Sequence, residues 1–282
     1  MYWIQQTEVL AGGKRFVSYG KDALDITFDI PFSDKEEPDV STVTIYNLSD
    51  GTISDIEKEG YIFVNAGYRE MNNMANILTG KIEKVETDWQ GVDKVTNIKV
   101  SDGAKSWRTA KLNKTYKNGT KASVIMRDLA NILKYEIVEI KPKKDIEYKL
   151  GKTIKGACST SLRQLVKDTE SKMFINKNRL VIRDRNKGYE TGFILSPESG
   201  LVGIPTLNKD DTDDKVESTD KEKTKKKNKK EKKTWNVDSL LNPRLETDSI
   251  IQVKSEKLSG KFRVVSGRHT REFLTSLVVE EV

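Results

Sequence analysis

The sequence predicts an α+β fold that is mostly β: two small antiparallel β-barrel domains with a helix-containing α/β insert between them. Three observations lead there. Apolar and polar residues alternate through much of residues 24–103. The apolar period lengthens to that of a helix between residues 120 and 172. Short strand-like runs divided by turn residues return after residue 191.

The first run is LDITFDI. Leu24, Ile26, Phe28 and Ile30 alternate with Asp25, Thr27 and Asp29, which puts one face on a core and the other in water. Ser41–Ser49 is a second strand, rich in β-branched residues. A short helical turn is expected in Ser49–Gly60. Tyr61–Tyr68, Ile77–Trp89 and Asp93–Gly103 supply three more strands. Five strands joined by polar turns suggest a small barrel or sandwich. Gly67, next to Tyr68, and Gly80 are expected to bend strands so that a barrel can close.

In Thr120–Tyr135, Val124, Ile125, Leu129, Ile132 and Leu133 fall at helical spacing, with Thr120 as the expected N-cap. A second helix over Ser159–Lys172 carries Leu162, Leu165 and Val166 on one face. In Met173–Asp184 the central Asn-Lys-Asn-Arg reads as a turn between two short strands, hence a hairpin. The helix faces are expected to be core, not a cofactor pocket. Strands follow in Thr191–Ser196, Gly200–Asn208, Leu240–Lys257, Gly260–Thr270 and Glu272–Val282. The expected division is a first β-barrel domain over 1–107, a middle domain over 108–190 and a second barrel domain over 191–282. A charged loop at 208–235 interrupts the last of these.

That loop divides its charge into an acidic block and a basic block. The chain of 282 residues has 50 Lys and Arg against 43 Asp and Glu, a net of +7. The run KEKTKKKNKKEKK holds nine lysines and two glutamates: Lys221, Lys223, Lys225, Lys226, Lys227, Lys229, Lys230, Lys232 and Lys233, with Glu222 and Glu231. It therefore accounts for the whole excess. Lys209–Asp220 just before it carries six acids and two lysines. Acidic and basic blocks side by side make a polyampholyte with too little apolar surface to offset its ordering entropy, so a solvated, flexible loop is expected. A groove that follows phosphates needs basic residues spread over a folded face, with aromatics to stack on bases. The run has neither.

Catalytic chemistry is sparse. His269 and Cys158 are the one histidine and the one cysteine of the sequence, so Cys/His zinc sites and an intramolecular disulfide are excluded within one chain. Cys158 reads as a small half-buried residue ahead of a helix, and His269 as a structural hydrogen-bonding residue. Asn242 and Pro243 form a turn before a strand. Trp3, Trp89, Trp107 and Trp235 are scattered and read as core or subunit interface. No phosphate-loop or dinucleotide fingerprint is present. No membrane span is expected, no signal peptide is recognisable, and no cofactor or metal is expected.

Four stretches, in this order, resemble the hub proteins of phage tail baseplates, a group also found in contractile bacteriocins and defective prophages. They are TVTIYNLS…GYIFVNAGY, ILTGKIEKVE, Gly151–Ile182 with its GKTIKGACSTSLRQL, and Ser239–Glu280 with its SLLNPRLETDSIIQVK. The resemblance covers about Asp25 to Glu280. It implies two similar barrels per subunit and three subunits in a ring. Six barrels would then surround a central channel, matching a six-fold tail tube above and a three-fold spike below. It implies as partners a second and third copy, the tube or distal tube protein, the spike, wedge proteins and the tape measure protein. DNA would only pass through, and the location would be the tail of a particle made in a host cytoplasm. The insertion at 208–235 departs from the short turn that the resemblance leads one to expect. Two other readings stand beside this one: a nucleic-acid-binding protein acting through Lys221–Lys233, and a tail-associated cell-wall hydrolase with a carboxylate pair.

Overall fold

The computed structural model describes residues 4–101, 103, 105–208 and 233–282. The first β region comprises β1 (Gln5–Ala11), β2 (Lys14–Val17), β3 (Ile26–Ser33), β4 (Val40–Tyr46), α1 (Asp50–Glu59), β5 (Tyr61–Tyr68), β6 (Ala75–Gln90) and β7 (Asp93–Ser101). The middle unit follows, with α2 (Ser106–Thr109), β8 (Lys111–Tyr116), β9 (Thr120–Lys121), α3 (Ala122–Ile132), β10 (Glu136–Ile140), β11 (Glu147–Tyr148), β12 (Lys152–Ala157), α4 (Cys158–Asp168), β13 (Ser171–Asn176) and β14 (Arg179–Asp184). The last β region has β15 (Tyr189–Leu195), β16 (Leu201–Leu207), β17 (Thr234–Leu240), β18 (Ser249–Lys254), β19 (Ser259–His269) and β20 (Leu274–Glu281).

The mostly β character and the helix-containing middle unit are as expected. The closed barrels are not found. Both β regions share one 13-stranded sheet, whose main path runs β16-β17-β20-β19-β3-β4-β7-β6-β5-β1-β2. Its end strands, β16 and β2, are each paired on one side only among the described residues. The reason lies in β19. Its first residues pair with β18, which in turn pairs with β15. Its last four, Ser266 to His269, pair with Ser33 to Ile30 of β3. One long strand is thus shared between the regions and carries the sheet across. Gly267 makes this seam possible, because a Cβ there would lie 2.5 Å from Phe32 Cζ. Gly80 and Gly67 allow close approaches inside the first β region, not barrel closure: a Cβ would lie 2.5 Å from Val100 Cγ1 or 2.7 Å from the Met74 backbone.

Three apolar cores result. The first gathers Val9, Phe28, Val43, Ile62 and Ile98, with Leu241 and Phe273 reaching in from the last region. The second fills the middle unit. The third takes Val237, Ile251, Phe262 and Val279, together with Phe32 of β3. The exchange of Phe32 for Phe273 knits the two β regions together.

Local chemistry explains most elements. The Ser49 side chain accepts the Thr52 N–H at the start of α1, and Gly60 in the left-handed region (φ 74°) ends it. This is a ten-residue helix where a short turn was expected, because only Ile53 and Ile56 face the sheet. Full burial of Ile56 contributes about 1.5–3 kcal/mol. β1 and β2 escape the sequence reading, although Thr7, Val9 and Ala11 alternate inward and the Gly12-Gly13 turn has both φ positive.

In the middle unit, α3 starts later than expected. Thr120 lies in β9, paired with Tyr148, and Lys121 holds the N-cap position without a side-chain bond. Asp145 supplies the missing acceptor from another segment, taking the Ser123 N–H at 2.9 Å. The buried face of α3 is Ala122, Ile125, Met126, Leu129 and Ala130, whereas Val124 is exposed. Leu162, Leu165 and Val166 of α4 are buried as expected. The hairpin β13–β14 is also as expected, with Lys177 and Asn178 both at positive φ. β10 pairs in parallel with β14. β8 and β12 pair with each other; their lysine-rich sequences hide them from a periodicity search.

Candidate functional site

Eight of the nine lysines singled out by sequence (Lys221, Lys223, Lys225, Lys226, Lys227, Lys229, Lys230 and Lys232) lie outside the described residues, as does the expectation of a flexible loop. Lys233 is described and exposed, one residue before β17. What the structure does show is the insertion's stem. Asn208 N–H donates to the Thr234 carbonyl at 2.9 Å, and Asn236 Nδ2 donates to Asn208 Oδ1 at 2.5 Å. Leu207 pairs with Trp235. The two ends are therefore held together on the β16–β17 hairpin, and Thr234 and Trp235, expected in the loop, belong to a strand.

The densest polar arrangement was not singled out by sequence. It forms where the middle unit meets the sheet, and the hairpin β13–β14 builds it. Met173, Ile175, Leu180 and Ile182 point into the middle core. The alternate residues Lys172, Asn176, Arg179 and Arg183 face the other way, since side chains alternate across a strand. Opposite them sits Asp248, fully buried, just before β18. Its carboxylate pairs with Lys172, with Arg183 at 3.4 Å and with Arg263 of β19 at 2.9 Å. Arg263 also reaches Asp34 at 3.1 Å and Glu280 at 2.9 Å. Arg183 pairs with Glu139 at 2.6 Å and lies over the Tyr189 ring.

At the hairpin tip, Lys177 donates to Glu246 at 2.5 Å and to the Asn76 carbonyl at 2.7 Å, and Arg179 pairs with Glu246 at 3.1 Å. Burial pulls the Lys172 ammonium below its usual range, against the raising effect of Asp248. Burial likewise pushes the Asp34 carboxyl up despite Arg263. The cluster ties all three parts of the chain together. A trace of it was legible: Lys172 and Arg183 flank the apolar runs Met173–Ile175 and Leu180–Ile182 of the hairpin, and both are buried.

The middle unit also faces the first β region across a cleft of about 460 Å³. Glu37, Glu83, Trp107, Arg108, Ser159 and Arg163 are among its walls. Two ion pairs cross it: Arg163 with Glu37 at 2.9 Å, and Arg108 with Glu83.

Cys158 and His269 do not form a pair. Cys158 is fully buried in the middle core, and burial raises its thiol pKa. His269 ends β19 and packs on Phe32, ring centroids 5.0 Å apart. Its Nδ1 is 3.0 Å from Thr275 Oγ1, which accepts the Asn242 N–H at 3.0 Å. Burial lowers the His269 pKa to about 3, with Lys177 adding to the effect, so the ring is neutral. Asn242 forms the expected turn, its Oδ1 accepting the Arg244 N–H at 3.1 Å. Trp107 is buried, Trp235 is half-buried and Trp89 is 70% exposed; Trp3 lies outside the described residues. No group of three or more His, Cys, Asp or Glu that could hold a metal occurs among the described residues, and none of their helices is long and apolar enough to cross a membrane.

The family model described as baseplate hub gp41 matches residues 39–255. The chain belongs to that baseplate hub family. The match spans the parts of the hub protein described above, from the start of β4 to just past β18. Solved structures share its fold. The 43 kDa tail protein of prophage MuSo2 from Shewanella oneidensis aligns over 99% of this chain and 98% of its own, with 9% identity and a TM-score of 0.66. A tail protein of Neisseria meningitidis aligns over 98% and 96%, with 12% identity and a TM-score of 0.63. An E. coli component of the type VI secretion system, described as similar to the T4 tail proteins gp27 and gp5, aligns over 92% and 74%, with 11% identity and a TM-score of 0.59. No curated protein matches the hub protein in sequence. The resemblance drawn from the four sequence stretches is thus confirmed at the level of family: this is a phage tail protein of the baseplate hub.

Proposed function

We propose that three copies of the hub protein form a ring that surrounds the tail channel and adapts a six-fold tube to a three-fold spike. The observation that carries this reading is the open sheet. Two β regions stand side by side in one subunit, joined at β3–β19; among the described residues the main path of the sheet ends in two unlike strands, β16 and β2, and β15 is a third edge on a side branch. A subunit with two different ends can associate head to tail, and such contacts close into a ring when the rotation permits. Family membership and the likeness to tail proteins favour this over an isolated role. On this reading residues 1–107 and 191–282 are the two ring domains and 108–190 is a middle domain. The partners are the tube or distal tube protein, the spike, wedge proteins and the tape measure protein, and the place of action is the tail.

The role is structural and not enzymatic, and DNA is met only in transit. The neutral charge of the chain outside Lys221–Lys233 supports this part. Light scattering combined with electron microscopy of the purified chain tests the ring. Zymography on bacterial cell walls tests the non-enzymatic role, where clearing would overturn it.

A further inference from the structure

We propose that the middle unit is a hinged module. The buried Asp248 cluster is its pivot on the sheet, and the Glu37–Arg163 and Glu83–Arg108 pairs are straps that hold it closed against the first β region. The two sides of the unit differ in kind. On the pivot side, Asp248 has no exposed surface and meets cations from both the middle unit (Lys172, Arg183) and the sheet (Arg263). Pulling the unit away would part Lys172 and Arg183 from the buried Asp248 carboxylate and would leave Lys172 with no carboxylate partner, so that side resists separation. On the cleft side, the contacts are exposed. The side chains of Arg163 and Glu37 are 34% and 69% exposed, and those of Arg108 and Glu83 are 67% and 28% exposed. Pairs of this kind are weak in water and are screened by salt.

The cleft between them holds about 460 Å³ of open space, and close packing at its wall is shown at Gly103, next to Pro38, where the chain crosses into the middle unit. The hairpin that forms the pivot is itself rigid. All six residues of β13 are buried, and its Met173 and Ile175 are packed in the middle core. A rigid body fixed along one edge and strapped along the other moves by rotation about the fixed edge. A charged partner surface that competes for Arg163 and Arg108 would open the cleft and carry the middle unit away from the ring domains.

Spin-label distance measurements on the full chain test this. Cys158 is buried and stays unlabelled. One pair of labels, at Val40→Cys and Thr160→Cys, spans the cleft. A second pair, at Lys187→Cys and Lys257→Cys, spans the pivot. In the parent chain both pairs give narrow distributions. Adding Glu37→Gln and Glu83→Gln is expected to broaden and lengthen the cleft distance by several ångströms while the pivot distance stays unchanged. A cleft distance that remains as narrow without the straps would overturn the hinge. So would broadening of both pairs together, which would mean that the Asp248 cluster does not hold the unit.

Discussion

Arg263 donates to Asp248 at 2.9 Å inside the protein, where the same carboxylate also meets Lys172 and Arg183. Removing its charge by Asp248→Asn leaves the buried Lys172 without a carboxylate partner, while Arg183 keeps Glu139 and Arg263 keeps Asp34 and Glu280. The expected loss of stability is about 3–5 kcal/mol, read as a lower urea midpoint. Asp29→Asn breaks the Arg268–Asp29 pair, whose side chains are 54% and 52% exposed, and should cost about 0–1 kcal/mol. Equal losses for the two variants would contradict the role given to the cluster.

His269 sets a pH dependence. Its pKa falls from 6.5 in the unfolded chain to about 3 in the folded one. The folded state therefore takes up a proton less readily. The stability from keeping the ring neutral is complete above pH 6.5 and is lost as pH falls toward 3. Each pH unit in that window costs up to about 1.4 kcal/mol. Urea denaturation at several pH values should show this slope, and His269→Gln should flatten it between pH 6 and 4.

The seam depends on a missing side chain. Gly267→Ala places a Cβ about 2.5 Å from Phe32 Cζ and 2.8 Å from the Ser276 carbonyl. Overpacking of this kind costs about 1–3 kcal/mol. Pairing it with Phe32→Leu should recover part of the loss in a double-mutant cycle, because one of the two clashes is then relieved. Strict additivity would show that Phe32 is not the obstacle.

The charged insertion is expected to be dispensable for the fold. Its ends meet at Asn208 and Thr234, so replacing residues 209–233 with a two-residue Asn-Gly turn keeps the hairpin stem. Thermal stability should change by less than about 1 kcal/mol, since loop-closure entropy depends weakly on length. Any retention on immobilised DNA should disappear with the lysines. Loss of folding would show that the insertion is structural.

Elements with a clean period were legible in the sequence. Tyr61–Tyr68 and Leu162, Leu165 and Val166 of α4 stand where alternation and helical spacing place them. Elements whose partners come from afar were not. The Asp145 cap of α3 is 22 residues from Ser123, and β8 and β12 turn only Leu112, Tyr116 and Ile154 toward the middle core, too sparse an apolar signal to mark a strand. The same holds for the site. Asp248, in LETDSII, looks like any surface acid; only the fold brings it to Lys172, 76 residues earlier. The open sheet was hidden for a related reason, because strand patterns report which face is buried but not which strand lies alongside. The lysine run, by contrast, was conspicuous in sequence, and yet only its Lys233 is among the described residues.

The central claim, a head-to-tail ring, is tested most directly by the mass of the purified chain in solution, followed by class averages of the particles in the electron microscope. The account predicts three chain masses and a three-fold ring with an open centre. A chain that stays monomeric across the accessible concentration range, and also in the presence of its spike, would contradict it.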